Sequence, residues 1–181
     1  GTGDLVIDEL DHSTITATVE NGSAEITAGG TLTVTDITLN TNSDDNDIVF
    51  TTGGGINAAV LNAGQDGDLT LTANGGAVTV STLVTGDGLN VTAAGGINIK
   101  ADVVDAELTT TATGDILLTN YGGLDVATVT VADGSVTLNA GGDLSVEQIN
   151  SQTDTNNNDI SLTATSGGSL TLGTLDAGNL G

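Results

Sequence analysis

The chain has 181 residues, and its 24 Asp and Glu residues face a single basic side chain, Lys100, so the net charge is −23 at pH 7. A surface this rich in carboxylates repels phosphate backbones and anionic lipid, which argues against nucleic acid and membrane as partners. With one Phe, one Tyr and no Trp, Met, Pro or Cys, the chain lacks the bulky side chains of a spherical core, and a long, narrow aliphatic core suits it better.

One phrase recurs along the chain: a strand of alternating apolar residues, a glycine pair and a second alternating strand. It reads AEITAGGTLTVTDI at 24–37, LTLTANGGAVTVSTL at 69–83, LNVTAAGGINIKA at 89–101, SVTLNAGGDLSVEQI at 135–149 and ISLTATSGGSLTLGTL at 160–175. Self-similarity at a period near 20 residues is typical of solenoids. The sustained alternation favours strands over disorder and predicts no helix.

The alternation assigns inward positions to both strands of each repeat. In the first strands the inward pairs are Ala24/Ile26, Ile48/Phe50, Leu69/Leu71, Leu89/Val91, Leu108/Thr110, Val136/Leu138 and Ile160/Leu162. In the second strands they are Leu32/Val34, Ile56/Ala58, Val78/Val80, Ile97/Ile99, Ile116/Leu118, Leu144/Val146 and Leu170/Leu172. A third apolar position follows at Ile37, Val60, Leu83, Val103, Ile149 and Leu175.

Three short faces in about 20 residues describe a triangular coil whose parallel strands stack about 4.8 Å apart on the next coil. We therefore predict an all-β fold, a parallel β-helix (β-solenoid) of roughly 7–8 coils. A β-sandwich and a β-propeller also contain many short strands, but neither expects glycines at one fixed point of a 20-residue unit.

The length variation predicts where the loops lie. We expect residues 1–181 to form a single solenoid segment of a larger protein, with an irregular first coil at 1–22. The longest excursions, at 40–47, 120–134 and 150–159, are interpreted as corner loops, where a bulge does not break the ladder.

The repeats GDLTLTANGG (67–76), LNVTAAGGINI (89–99) and VTLNAGGDLSV (136–146) resemble those of filamentous haemagglutinin-type exoproteins. The resemblance covers roughly residues 22–181. It implies a right-handed parallel β-helix in the shaft of a large secreted or cell-surface bacterial adhesin. The expected partners are a receptor on a host or neighbouring cell, or other copies of the chain stacked head to tail. No catalytic role and no resident cofactor are expected.

Two acidic loops are candidates for Ca²⁺ binding, because this ion prefers carboxylate and amide oxygens. The candidate ligands are Asp44, Asp45, Asp47, Asp154 and Asp159. The alternative is that these residues form solvated corners, since Asp and Asn also suit turns.

A second candidate is the row of outward Thr residues, which resembles the ice-binding face of some antifreeze proteins. The expected row is Thr27, Thr51, Thr72, Thr92, Thr111, Asn139 and Thr163. Stacked Thr residues also stabilise neighbouring strands without any ligand. Catalysis of the pectate-lyase type is not expected, because Lys100 has no second cation beside it. His12 is interpreted as an exposed or capping residue.

Overall fold

The computed structural model describes residues 3–10, 14–153 and 158–178, which form 17 β-strands and no helix. All of their ladders are parallel, and they make two sheets. Sheet 1 contains β1 (Leu5–Leu10), β3 (Ala24–Ala28), β5 (Ile48–Thr52), β7 (Leu69–Ala73), β9 (Gly88–Ala93), β11 (Asp105–Thr113), β13 (Leu124–Asp133), β15 (Leu144–Ser151) and β17 (Leu170–Asp176). Sheet 2 contains β2 (Thr14–Val19), β4 (Leu32–Leu39), β6 (Ile56–Asn62), β8 (Val78–Thr85), β10 (Ile97–Asp102), β12 (Ile116–Asn120), β14 (Val136–Ala140) and β16 (Ile160–Ala164).

Each coil consists of one odd-numbered strand and the even-numbered strand that follows it. Coil 1 is β1 with β2, coil 8 is β15 with β16, and β17 begins a ninth coil. Every odd strand pairs with the odd strands of the coils beside it, and the same holds for the even strands. The predicted parallel β-solenoid is therefore confirmed.

Aliphatic side chains of the same column stack along the axis and form the core. One column of sheet 1 contains Ile26, Phe50, Leu71, Val91, Leu108, Val129, Ile149 and Leu175. The matching column of sheet 2 contains Leu32, Ile56, Val78, Ile97, Ile116, Val136 and Ile160. The predicted inward pairs are buried from Ala24 to Val146, whereas those of β16 and β17 are only half-buried or exposed.

Strands β4, β6 and β8 bend, and the bend gives these coils their third face. In β4, Thr35 and Asp36 both face away from the core before Ile37 turns back to it. A bend places two or three consecutive residues away from the core, so the next inward residue comes later than strict alternation predicts. The third apolar positions predicted at Val60 and Leu83 are therefore wrong by one residue. Leu61 and Val84 are the residues fully buried there.

The prediction that residues 120–134 form a corner loop is wrong. Residues 124–133 form β13, the longest strand, and only Tyr121 to Gly123 connect it to β12. The phrase after residue 135 consequently begins on sheet 2, as β14, and not on sheet 1. The prediction failed because a glycine pair indicates a tight turn between two strands but does not determine which corner of the solenoid that turn occupies.

The other loops lie between strands where they were expected. Residues 40–47 connect β4 to β5, and β15 extends to Ser151 before the connection to β16. Residues 154–157 lie outside the described residues. The first coil contains β1 and β2 in register with β3 and β4, with a register shift between Ile7 and Leu10.

Candidate functional site: the acidic corners

Aspartates cap the strands from one coil to the next. In each case the residue just before a strand's first inward side chain accepts a hydrogen bond from a backbone N–H of the following coil. The pairs are Asp4 with Ser23 (2.9 Å), Asp47 with Asp68 (3.0 Å), Asp68 with Gly88 (2.9 Å), Asp115 with Ser135 (2.8 Å) and Asp143 with Ser169 (2.7 Å). Part of the acidic composition therefore has a structural role.

Asp143 shows the electrostatic consequence of this cap. The backbone N–H of Ser169 and, secondly, its hydroxyl donate to the carboxylate and hold the pKa of Asp143 below its ordinary value. These caps were not among the features predicted from the sequence. The phrase Gly-Asp-Leu/Ile, at 3–5, 67–69, 114–116 and 142–144, is the signal that could have revealed them.

The predicted calcium ligands lie on two separate loops. Asp44 and Asp45 are exposed in a turn, and the carbonyl of Asp45 accepts a hydrogen bond from the Ser23 hydroxyl. Asp47 precedes β5 in coil 3 and Asp159 precedes β16 in coil 8, so about 24 Å of axial rise separates them. Asp154 lies outside the described residues. Among the described residues no group of three or more His, Cys, Asp or Glu could hold a metal ion, and Ca²⁺ binding stays a prediction.

A buried asparagine organises each of these loops in the same way. Asn46 accepts from the Gly22 N–H (3.1 Å) and donates to the Thr41 carbonyl (2.9 Å). Asn158 accepts from the Gly134 N–H (3.1 Å) and donates to the Thr153 carbonyl (3.0 Å). These two contacts are equivalent in the two loops, and the Asn158 amide additionally donates to the Ser151 hydroxyl at 2.9 Å.

Coils 4–7 carry an acidic corner groove, which opens where sheet 2 ends and sheet 1 begins. It has a volume of about 470 Å³ and is lined by Gln65, Asp66, Gly86, Asp87, Asp102, Val103, Val104, Gly122 and Gly123. A second, shallower depression of about 310 Å³ shares Asp87 and adds Asp68, Asp105 and Glu107. Successive connections from sheet 2 to sheet 1 therefore each contribute carboxylates to this corner.

These carboxylates affect one another. Burial raises the pKa of Asp105 above its ordinary value of 3.8, and the charges of Asp87, Asp68 and Asp125 raise it further. Like charges are thus held together at this corner, at a cost to the folded state.

The outward threonines form a row of six residues, which differs in membership from the row of seven that the sequence predicted. Strand pairing aligns Thr27, Thr51, Thr72, Thr92, Thr109 and Thr130 in one column of sheet 1. The expected members Thr111, Asn139 and Thr163 are wrong, because β11 pairs with β9 two residues earlier and the last two belong to sheet 2. The neighbouring outward column is mixed and contains Glu25, Val49, Thr70, Asn90 and Glu107.

Lys100 and Tyr121 do not line the acidic corner groove. Lys100 faces outward from sheet 2, directly beneath Thr119 of the next coil. Tyr121 is 61% exposed, and its N–H donates to the Ala101 carbonyl at 2.8 Å. His12 lies outside the described residues.

Comparisons of the chain with protein-family models, with curated proteins and with solved structures find no match. A search of the described residues finds no helix that is long and apolar enough to cross a membrane.

Proposed function

We propose that this chain is a shaft segment of a large secreted or cell-surface bacterial adhesin or extracellular filament, with a mechanical and not a catalytic role. One observation carries this proposal: two parallel ladders continue through eight coils without a break. Eight coils at about 4.8 Å give a rod of about 40 Å. Each coil contributes backbone hydrogen bonds and a layer of aliphatic core, so the rod holds whatever it carries at a fixed distance.

The resemblance of the repeats to filamentous haemagglutinin-type exoproteins supports the extracellular location. The surface also suits this setting, since a single Lys and no Arg leave trypsin-like proteases almost no cleavage site. The partners we propose are a receptor on a host or neighbouring cell, contacted by the corner loops, or other copies of the chain.

Immunolabelling of producing cells tests the proposed location. Antibodies raised against the folded chain should label intact cells or the filaments they release. Deletion of the coding segment should reduce attachment of these cells to surfaces. Labelling that appears only after the cells are permeabilised would contradict the proposal.

Ice binding is a second candidate, favoured by the six Thr residues in register on sheet 1. The charged residues Glu25 and Glu107 in the neighbouring column weaken it, because a flat hydroxyl lattice needs two regular columns. A thermal hysteresis assay separates the two proposals. The shaft proposal expects neither hysteresis nor ice shaping, whereas activity that Thr72→Lys abolishes would favour ice binding.

A further inference from the structure

The acidic corner groove combines two kinds of surface that rarely adjoin on this chain. Its lining combines the carboxylates Asp66, Asp87 and Asp102 with Val104 and with backbone that lacks side chains at Gly122 and Gly123. Val104 is 56% exposed, which is unusual for an aliphatic residue on a rod whose other corners consist mostly of Asn, Asp, Ser and Gly. Val104 thus places an apolar contact surface directly beside the carboxylates of this corner.

Tyr121 adds an exposed aromatic side chain next to the lining residue Gly122. It immediately precedes Gly122 in the short connection from β12 to β13, one coil above Asp102. A methyl group at Gly122 would lie 3.5 Å from the Asp102 carboxylate, and the Tyr121 N–H donates to the Ala101 carbonyl, so this connection lies against the end of β10. Exposed tyrosines are enriched at protein interfaces because they bring a large, rigid contact area.

We propose that the acidic corner groove binds an extended segment of a partner protein that carries Lys or Arg side chains. Such side chains match both surfaces at once, because their aliphatic stems pack on apolar groups while their charged heads reach carboxylates. The ring of Tyr121 offers a cation–π contact to the same heads.

Charge complementarity selects this occupant over an acidic or neutral one. The net charge of −23 attracts a basic segment at long range. Asp87 of the groove also repels Asp105 in the adjoining depression, and a cation beside Asp87 relieves this repulsion. Because successive connections each contribute carboxylates to this corner, they suit charges distributed along an extended chain.

The test measures the affinity of a labelled heptapeptide of alternating Lys and Ser by fluorescence anisotropy in 150 mM NaCl, with a Glu-Ser heptapeptide as the negative probe. We expect binding of the Lys peptide and none of the Glu peptide. The double variant Asp87→Asn/Asp102→Asn should weaken binding about tenfold, in line with two partly exposed ion pairs. Its matched control, Glu25→Gln/Glu147→Gln, removes the same charge from exposed positions outside the groove and should change affinity less than about twofold.

Apolar variants separate a specific groove from general attraction to a polyanion. Val104→Ser/Tyr121→Ser should weaken binding about fivefold, whereas Val6→Ser/Leu117→Ser, at exposed apolar positions elsewhere, should leave it unchanged. Equal losses in each variant and its control, or no loss in Val104→Ser/Tyr121→Ser, would overturn the proposal. So would displacement of the peptide by 1 mM CaCl₂ at constant ionic strength, since that result would assign the corner to a metal ion. This binding test does not depend on the proposed shaft function, because it measures the affinity of the purified protein for a peptide and not the location of the protein on cells.

Discussion

Residues 22–48 and 134–160 are two copies of one sequence unit placed on different faces of the rod. Both begin with Gly-Ser before a strand, continue through a Gly-Gly corner and a bent strand, and end in Asn-Asp-Ile. Their loop contacts agree, since Asn46 accepts from Gly22 and Asn158 accepts from Gly134, both at 3.1 Å. Yet the first strand of the early unit is β3 in sheet 1, and that of the late unit is β14 in sheet 2.

The difference shows that local structure and position around the axis are set separately. Each unit normally supplies one strand with three inward residues and then a bent strand with two pairs. The β10 region still supplies two inward pairs, Ile97/Ile99 and Ala101/Val103. Strands β11 and β12 then follow one another with three inward residues each and no such pair of pairs between them, which adds one face. Every later unit is therefore rotated by one face relative to the early ones.

The largest effect should come from Asn120, which ends the added face. Its side chain is buried in a column with Ala101 and Ala140, accepts from the Val103 N–H (3.0 Å) and donates to the Val103 (2.9 Å) and Gly123 (2.8 Å) carbonyls. Asn120→Ala fits the column but leaves these backbone groups without partners, so we expect a loss of about 3 kcal/mol in the free energy of unfolding. Urea denaturation measures it, with the outward Asn139→Ala as a control that should change little. Equal losses in both variants would show that the added face does not depend on Asn120.

Equivalent glycines of the two units should differ. Gly29 and Gly141 occupy the same position of the sequence unit, but a methyl group at Gly29 has open space around it, whereas one at Gly141 would overlap the Tyr121 carbonyl. Gly141→Ala should therefore cost about 2 kcal/mol, while Gly29→Ala should be neutral or stabilise by less than about 1 kcal/mol. Thermal melts followed by circular dichroism compare the two. Similar melting temperatures would contradict the close approach of Gly141 to the Tyr121 carbonyl.

The loop asparagines, in contrast, should behave alike. Asn46→Ala and Asn158→Ala each remove a buried amide that connects a loop to the preceding coil, and each should cost about 1.5 kcal/mol, because water replaces part of the lost contacts. Local hydrogen exchange at Gly22 and Gly134 reports on each site. A loss confined to one unit would show that the loops are not equivalent.

The smallest effect concerns Asp105 at the acidic corner, which lies between the units. Since the folded state raises the pKa of this carboxyl, its contribution to stability is present below the ordinary value near 3.8 and is lost as the pH rises through the folded pKa. Asp105→Asn should therefore stabilise the protein at pH 7 by less than about 1 kcal/mol, because water screens a partly exposed carboxylate. Denaturation at pH 7 and at pH 3 checks the sign, and a destabilising effect at pH 7 would contradict it.

The sequence predicted the strands well because alternation directly reports which side chains face the core. Val136/Leu138 were predicted on the first strand of a coil and Leu144/Val146 on the second, but they lie on sheet 2 and sheet 1 respectively. Both pairs are nevertheless buried as predicted. The rotation was not predictable from the phrase, since Gly114 alone precedes the added strand β12 and no glycine pair marks it. Nor was the acidic corner groove, because it depends on contacts between coils about 20 residues apart, whereas the capping aspartates do have a sequence signal in the phrase Gly-Asp-Leu/Ile.

Disulfide trapping tests the rotation most directly, because the chain contains no cysteine of its own. Strand pairing places Thr109 beside Thr130 of the next coil, about 4.8 Å away, within the range of Cα separations that a disulfide spans. A solenoid without the added face would instead place Thr109 beside Thr137. Thr109→Cys/Thr130→Cys should therefore form an intramolecular disulfide on oxidation and Thr109→Cys/Thr137→Cys should not, as read by mass spectrometry of the monomer. The reverse result would contradict the rotation.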